Sequence, residues 1–483
     1  VGVADDPWQL VADLQAENAV LRSTVAKQVE LIDKLMVEVA ELKARVEMNP
    51  RNSSKPPSSE GYAKPSPKSR RVRGANKPGK QPGTPGKHLR RRNSLDEVIT
   101  HEPVVCSGCG HHLHQAPVVG ETARQVFDIP PGVLSCVEHL ARKRRCSCGT
   151  ETSGEFPPWV TAPTCYGPNM RAYVCYLVTR QHIPIARVAE LLSDTYNATV
   201  STGTIVTMVN EGAAMLAEFL TKLTTLLGDS PVVCADETGL RVAAKLHWVH
   251  SASTGGLTHY HLDTRRGVDA MTNAGILDLL GGVLVHDGWT PYRHYTNVAH
   301  QLCNAHHLRE LQAATETGEQ AWAGDMATLL CDTWEHVLTA KTAGNDHLPA
   351  EQIASINNTY DQIITAGHDT NPNPAPTGKR GRPKRTKSAN LLGRLDTHRD
   401  DVLRFVTDFD IPFDNNLAER DIRMVKVHQK ISGGFRTLHG ATSFLNLRSY
   451  LSSANKHGTS ALTALNQLFA GTPWTPALPA PNP

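Results

Sequence analysis

Three acidic residues stand in well-marked settings along the 483-residue chain: Asp236 in PVVCADETGL, Asp287 in GGVLVHDGWTPY and Glu419 in FDNNLAERDIRMVK. The first two each close an apolar, β-like run. The third lies on a helical segment that also carries arginines and a lysine. Two strand-borne carboxylates and one helix-borne carboxylate form the arrangement that holds two divalent metals for phosphodiester chemistry. Each of two acids has a neighbour that could replace it, Glu237 beside Asp236 and Asp421 near Glu419. On a strand Glu237 points to the face opposite Asp236. On a helix Asp421 lies about 200° from Glu419, so each choice excludes the other. Glu419, Arg423 and Lys426 recur at i, i+4 and i+7 and share a helix face, which suits a metal site beside a phosphate backbone. Taken singly, each acid reads as a cap or a surface charge; three in matching contexts point to a site.

The elements needed to position these acids are legible around them. From Pro231 the runs PVVCAD, LHWVHSAS and LTHYHLD read as strands, followed by a helical stretch (GVDAMTNAGILDLL), the strand GGVLVHD, a Trp/Tyr-rich turn and the strand HQLC. That is the order of an α/β ribonuclease-H-like core, with the first and fourth strands side by side. The expected catalytic domain is 228–436. Within it, 313–408 reads as a large, mostly helical insertion that includes the basic Pro/Gly-rich loop 371–387. Asp414 or Asn415 caps the helix that carries Glu419. A helical tail (437–471) and a Pro/Ala-rich end (472–483), which reads as disordered, follow. Trp289 and Tyr292 offer either base stacking or core packing.

Four segments precede this core. Residues 9–48 follow a heptad rule, with Val11, Asn18, Val25, Ile32, Val39 and Val46 at a and Leu14, Leu21, Gln28, Leu35 and Leu42 at d. β-Branched a residues with Leu at d favour a parallel two-stranded coil, and a lone Asn at a fixes its register; the alternative is a helix packed on its own domain. Residues 49–94 read as a basic disordered linker. Residues 95–160 read as a small zinc module with short strands, built on Cys106, Cys109, Cys146 and Cys148; two close thiol pairs suit tetrahedral Zn²⁺ and leave no open position for catalysis. Arg142, Lys143, Arg144 and Arg145 abut the second pair and could face phosphates. Residues 161–227 read as helical, with a helix-turn-helix-like piece in which Ser201 or Thr202 caps the second helix; an ordinary helical hairpin fits as well.

Net charge is only +3, but thirteen Lys/Arg between 51 and 100 face three acids, and a second basic run spans Lys379–Lys387. Such blocks suit a polyanionic partner or a solvated linker. Arg380-Gly381-Arg382-Pro383 matches the core of an A·T minor-groove hook, or else a solvated basic loop. The ten cysteines show no secreted disulfide framework, and no apolar run is long enough to span a bilayer. A cytoplasmic protein is expected.

ADET around Asp236, HDGWTPY around Asp287, DNNLAERDIRMVK around Glu419 and GKRGRPKRTKSANLLGRL in the insertion make the chain resemble transposases of the insertion-sequence-66 family, of the DDE class. Cys303-Asn304-Ala305-His306 looks like the Cys-x-x-His signature that follows the second acid in several such families; packing and chemical roles are both open. The resemblance implies a DNA transposase of a bacterial, nucleoid-associated setting. It would bind double-stranded DNA at terminal inverted repeats, as a homodimer or higher oligomer, with small accessory proteins as possible partners. Asp236 would bridge two Mg²⁺ (or Mn²⁺) ions, with Asp287 and Glu419 completing one each, for strand cleavage and transfer. A DNA-binding regulator without chemistry, or another ribonuclease-H-like nuclease, are the alternatives.

Overall fold

The heptad segment forms one uninterrupted helix, α1 (Pro7–Val46). Its start suits Pro, whose missing N–H would have no partner there. The stripe is unburied: Val11, Leu14, Leu21, Val25, Ile32, Leu35, Val39 and Leu42 are 45–57% exposed. The computed structural model describes residues 7–46, 89–129, 132–318, 320–372 and 385–476. Most of the basic linker (47–88), the hook residues Arg380 and Arg382, and 477–483 therefore lie outside the described residues.

The segment 95–160 carries one antiparallel hairpin, β1 (Lys143–Arg145) with β2 (Glu151–Ser153), and an isolated bridge between Val105 and His112. Of the strands expected in the alternating stretch 124–146, only Lys143–Arg145 forms among the described residues. Val126, Val133 and Val137 are exposed, so no covering layer selects a strand face there. Pro130 and Pro131 also offer no amide to a ladder.

Helices then take over: α2 (Pro168–Cys175), continued by a wider turn at Tyr176–Arg180, α3 (Ile185–Tyr196), α4 (Thr202–Ala214) and α5 (Ala217–Gly228). Asn197 ends α3 in the left-handed region, and Ser201 Oγ accepts the Thr204 N–H at 3.0 Å to start α4. Ser201 is thus the cap.

The sheet is mixed. β3 (Val232–Val242), β4 (Lys245–Ser253), β5 (Thr258–Asp263), β6 (Val283–His286) and β7 (Ala299–Leu302) lie in the order β5-β4-β3-β6-β7. β3 runs antiparallel to β4 and parallel to β6, so the first and fourth strands are neighbours. The helical stretch between β5 and β6 is shorter than its pattern suggests: only Val268–Asn273 (α6) is helical. After β7 come α7 (Asn304–Thr317), α8 (Ala321–Thr342), α9 (Ala350–Thr370), α10 (Lys387–Thr397) and α11 (Arg399–Leu403). These helices share a core that includes Trp322, Leu330, Tyr360, Leu395, Phe405 and Phe413. The chain then returns to the sheet through α12 (Asn416–Ser432), α13 (Leu438–Lys456) and α14 (Ala461–Phe469). α13 and α14 join α2–α5 and one sheet face in the largest core. No described helix is long and apolar enough to cross a membrane.

Candidate metal-dependent active site

Strand periodicity and one small apolar cluster explain how the three acids meet. Cys234 pairs with Val285 across β3 and β6. Asp236 lies two residues further along β3, and Asp287 follows directly after the end of β6, close enough for the two carboxyls to interact. Cys234, Val285 and Ala418 of α12 pack as one buried cluster. α12 therefore covers the face of β3 from which Asp236 projects, and Ala418 delivers its neighbour Glu419. The helix is pinned to β3 at two points. Asn415 Nδ2 donates to the Ala235 carbonyl at 2.7 Å, and Lys426 Nζ donates to the Gly239 carbonyl at 2.5 Å. Asn415 is the N-cap residue, but its side chain holds the sheet rather than the helix end. Asp414 Oδ1 instead accepts the Asn416 N–H. After β6 the chain turns sharply at Gly288, whose φ of +91° suits only glycine. The turn lets the Trp289 N–H donate to Asp287 Oδ1 at 2.8 Å.

The electrostatics favour a cation. Burial, then Glu237, Asp287 and Glu419, push the Asp236 carboxyl well above its usual range. Its Oδ1 accepts only the Glu237 N–H at 2.9 Å, and it joins no ion pair among the described residues. Crowded carboxylates of this kind fit hard divalent cations with oxygen ligands. The three carboxylates do not all fall within 4.8 Å of one another, so they do not form a single-ion cluster. A folded pKa above the unfolded one costs stability at pH values above the folded value, and the cost vanishes below the unfolded value near ~4. Metal-free Asp236→Asn should therefore melt on the order of a few degrees above wild type at pH 8, with the gap closing in acid. Equal melting at pH 8 in calorimetry would show the charge to be already balanced.

Both excluded neighbours have structural work. Glu237, on the opposite face, accepts from Arg266 at 2.6 and 3.1 Å through Oε1 and from Tyr292 OH at 2.6 Å through Oε2. Arg266 lies over Trp248 and Trp289, 4.8 and 4.1 Å from the ring centroids. Tyr292 is 1% exposed, so it packs and cannot stack on a base. Asp421 Oδ2 accepts from Ser253, Thr258 and Lys456 at 2.7–2.9 Å, and its carbonyl accepts from Tyr260 OH. Its partners come from β4, β5 and α13, so it ties α12 to the fold.

Residues that the acidic motifs alone do not reveal also border the site. His306 Nδ1 lies 3.7 Å and Arg309 Nη2 3.9 Å from the Glu419 carboxylate. Both sit on α7, three residues apart, so Cys303-x-x-His306-x-x-Arg309 was the available signal. Arg266 and Trp248 had none, because their partners are distant in the chain; Asn415 was legible only as a helix cap.

The expected phosphate contacts divide. Arg423 is exposed, whereas Lys426 is engaged by Gly239. Lys143 and Arg145 pair with Glu151 across the hairpin, at 3.5 and 2.5 Å, while Arg142 and Arg144 are exposed and make no ion pair among the described residues. Exposed pairs such as these contribute about 0–1 kcal/mol and yield readily to a phosphate.

The four cysteines of the N-terminal module form two knuckles of one pattern. The Cys106 N–H donates to the His111 carbonyl and the Cys106 carbonyl accepts from Gly110; Cys146 does the same with Thr150 and Gly149. Neighbouring backbone and thiol groups lower Cys106, and Thr150 above all lowers Cys148 to about 7. This donor set fits zinc thiolate chemistry. The four sulfurs are nonetheless not gathered into one cluster. Each knuckle is closed by local backbone bonds, but no strand pairing or buried apolar cluster among the described residues holds one against the other.

Comparison with known proteins gives matches along most of the chain. The sequence profile of the transposase IS66 family matches residues 163–443, and that of the zinc-finger binding domain of transposase IS66 matches 103–149. A family of unknown function (DUF6444) matches 5–90. The chain is also similar to the uncharacterized protein y4jD of Sinorhizobium fredii, at 23% identity over 455 residues, covering 83% of each chain. The first match spans more than half of the chain, and the two carboxylate-bearing strands, α7 and α12 all fall inside it: the chain belongs to the IS66 family of transposases.

Proposed function

We propose that the protein binds the terminal inverted repeats of its insertion sequence and catalyses divalent-metal-dependent DNA strand cleavage and strand transfer, with Asp236, Asp287 and Glu419 as the catalytic acids on a ribonuclease-H-like core. The observation that carries this reading is the packing of Ala418 on Cys234 and Val285, which sets one helix acid over two strand acids. Bound Mg²⁺ or Mn²⁺ supplies an activated oxygen nucleophile and Lewis-acid stabilisation of the leaving oxygen. The chain's own residues then have distinct tasks. The three acids hold the ions, the Trp289 amide orients Asp287, and Asn415 and Lys426 fix α12 against β3. Glu237, Arg266 and Tyr292 form a rigid wall behind the site. Arg309 and Arg423 are placed to meet phosphate, with Arg142 and Arg144 as further contacts from the zinc module. No serine or tyrosine nucleophile is required, because water and a DNA 3′-hydroxyl serve in turn.

The full chain should nick terminal-repeat duplexes in Mg²⁺ and leave hybrids and junctions uncut. Preference for hybrids or junctions would instead mark another nuclease of the same core. Tight repeat binding without any cutting would mark a regulator.

The exposed a/d stripe of α1 supports self-association through a parallel coil, which would hold two element ends together. Leu21→Pro combined with Leu35→Pro should convert the assembly to monomer in sedimentation at micromolar concentration, with the far-UV signal of the core kept. Unchanged sedimentation would place the interface elsewhere.

A further inference from the structure

We propose that Cys303, His306 and Glu419 form a soft-metal site, suited to Zn²⁺, separate in its ligand set from both the cysteine knuckles and the two aspartates. Among the described residues this is the one group of three potential ligands whose atoms all lie within 4.8 Å of one another. His306 Nδ1 and Glu419 Oε1 are 3.7 Å apart. Two ligands of one tetrahedral zinc, at bonds of ~2.0–2.1 Å, would stand about 3.4 Å apart. Both atoms are buried, and neither has a hydrogen-bond partner. A buried nitrogen and a buried oxygen facing one another unsatisfied is a costly arrangement that one shared ion would relieve.

A simple ion pair does not account for it. At 3.7 Å no hydrogen bond joins the His306 ring to Glu419, and both facing atoms are left without a partner. The surroundings of Cys303 point the same way. It is the N-cap of α7 and is buried, with its sulfur close to the other two ligand atoms. The Asn415 amide donates to its Sγ at 3.2 Å, as second-layer donors do for metal-bound sulfur. One thiolate, one imidazole and one carboxylate make a set that prefers zinc to magnesium, with the fourth position left to water. Glu419 is shared with the proposed active site. An ion held here draws that carboxylate away from Asp236 and Asp287, so zinc would act against magnesium-dependent chemistry.

The test uses the full chain with Co²⁺ as probe, counting bound metal per chain and reading the near-ultraviolet thiolate-to-metal band, with no DNA present. Wild type should bind about two thiolate-ligated equivalents, one at the knuckles and one here, counted with excess Mg²⁺ present to occupy the aspartates. Cys303→Ser and His306→Gln should each remove one equivalent, and Cys303→Ser should also reduce the thiolate band. Glu419→Gln should weaken that equivalent about tenfold or more. Metal-free circular dichroism of each variant controls for folding. Wild type taking up a single equivalent, or a count of two that survives both Cys303→Ser and His306→Gln, would overturn the site. Because no cutting is measured, that failure is distinct from failure of the catalytic reading on which only the zinc–magnesium antagonism rests.

Discussion

Asp236→Ala should reduce metal-dependent nicking of terminal-repeat DNA by at least about 10³-fold while repeat binding is kept. The size follows from position. Burial, then Glu237, Asp287 and Glu419, push the Asp236 carboxyl well above its usual range. It also lies at the centre of the sheet, between β4 and β6. Asp287→Asn and Glu419→Gln should produce losses of the same order, and the double variants should lose little more than the singles, because residues acting as a unit are not additive. The assay is end-labelled cleavage at fixed Mg²⁺ beside a binding titration on the same duplex. Nicking by Asp236→Ala at a rate near wild type would remove these acids from the mechanism.

Two residues along the same helix from Glu419, the opposite kind of effect is expected. Asp421→Ala should lower stability by about 3–5 kcal/mol. The substitution strands Lys456, whose side chain is 14% exposed and whose ammonium contacts the Asp421 carboxylate at 2.7 Å. It also removes the acceptor for Ser253 and Thr258. Burial already lowers the Lys456 pKa, and Asp421 is the main group opposing that shift. Denaturant unfolding should therefore show a large drop for Asp421→Ala and a small change for Glu419→Gln, whereas cutting per folded molecule should show the reverse order. Asp421→Ala unfolding like wild type would mean that water replaces the lost carboxylate and that α12 is held by its other anchors.

Parts of this division were legible along the chain. The apolar runs that lead into Asp236 and Asp287 announce themselves by β-branched content, although β3 continues past Asp236 to Val242. The period of two then places Glu237 on the far face, where Arg266 and Tyr292 do take it. Helical spacing likewise separates Asp421 from Glu419 by more than half a turn of the wheel. The same spacing grouped Lys426 with Glu419 and Arg423 as a phosphate-facing set, and it gave no sign that Lys426 also reaches the Gly239 carbonyl. Spacing reports which side chains share a face but not what lies opposite, and Gly239 lies opposite Lys426. Tyr292 was ambiguous for a related reason: an aromatic beside a turn reads alike whether it is open or buried, and its Glu237 partner is 55 residues away. Alternating residues between the two knuckles suggested strands, but alternation needs a covering layer to become a face, and Val126, Val133 and Val137 have none.

Local pattern by itself determined most of the helices, the strands of the five-stranded sheet, the heptad stripe, the cysteine pairs and the three acids, because each rests on periodicity or on neighbours within a few residues. Tertiary structure alone decided how α12 is seated, since Ala418 meets Cys234 and Val285 from more than a hundred residues away in the chain. It also decided that Cys303 and His306 face Glu419, more than a hundred residues later in the chain. The physical reason is the same in both cases: complementary packing and unsatisfied buried polar atoms are properties of pairs of surfaces, and a sequence shows only one surface at a time.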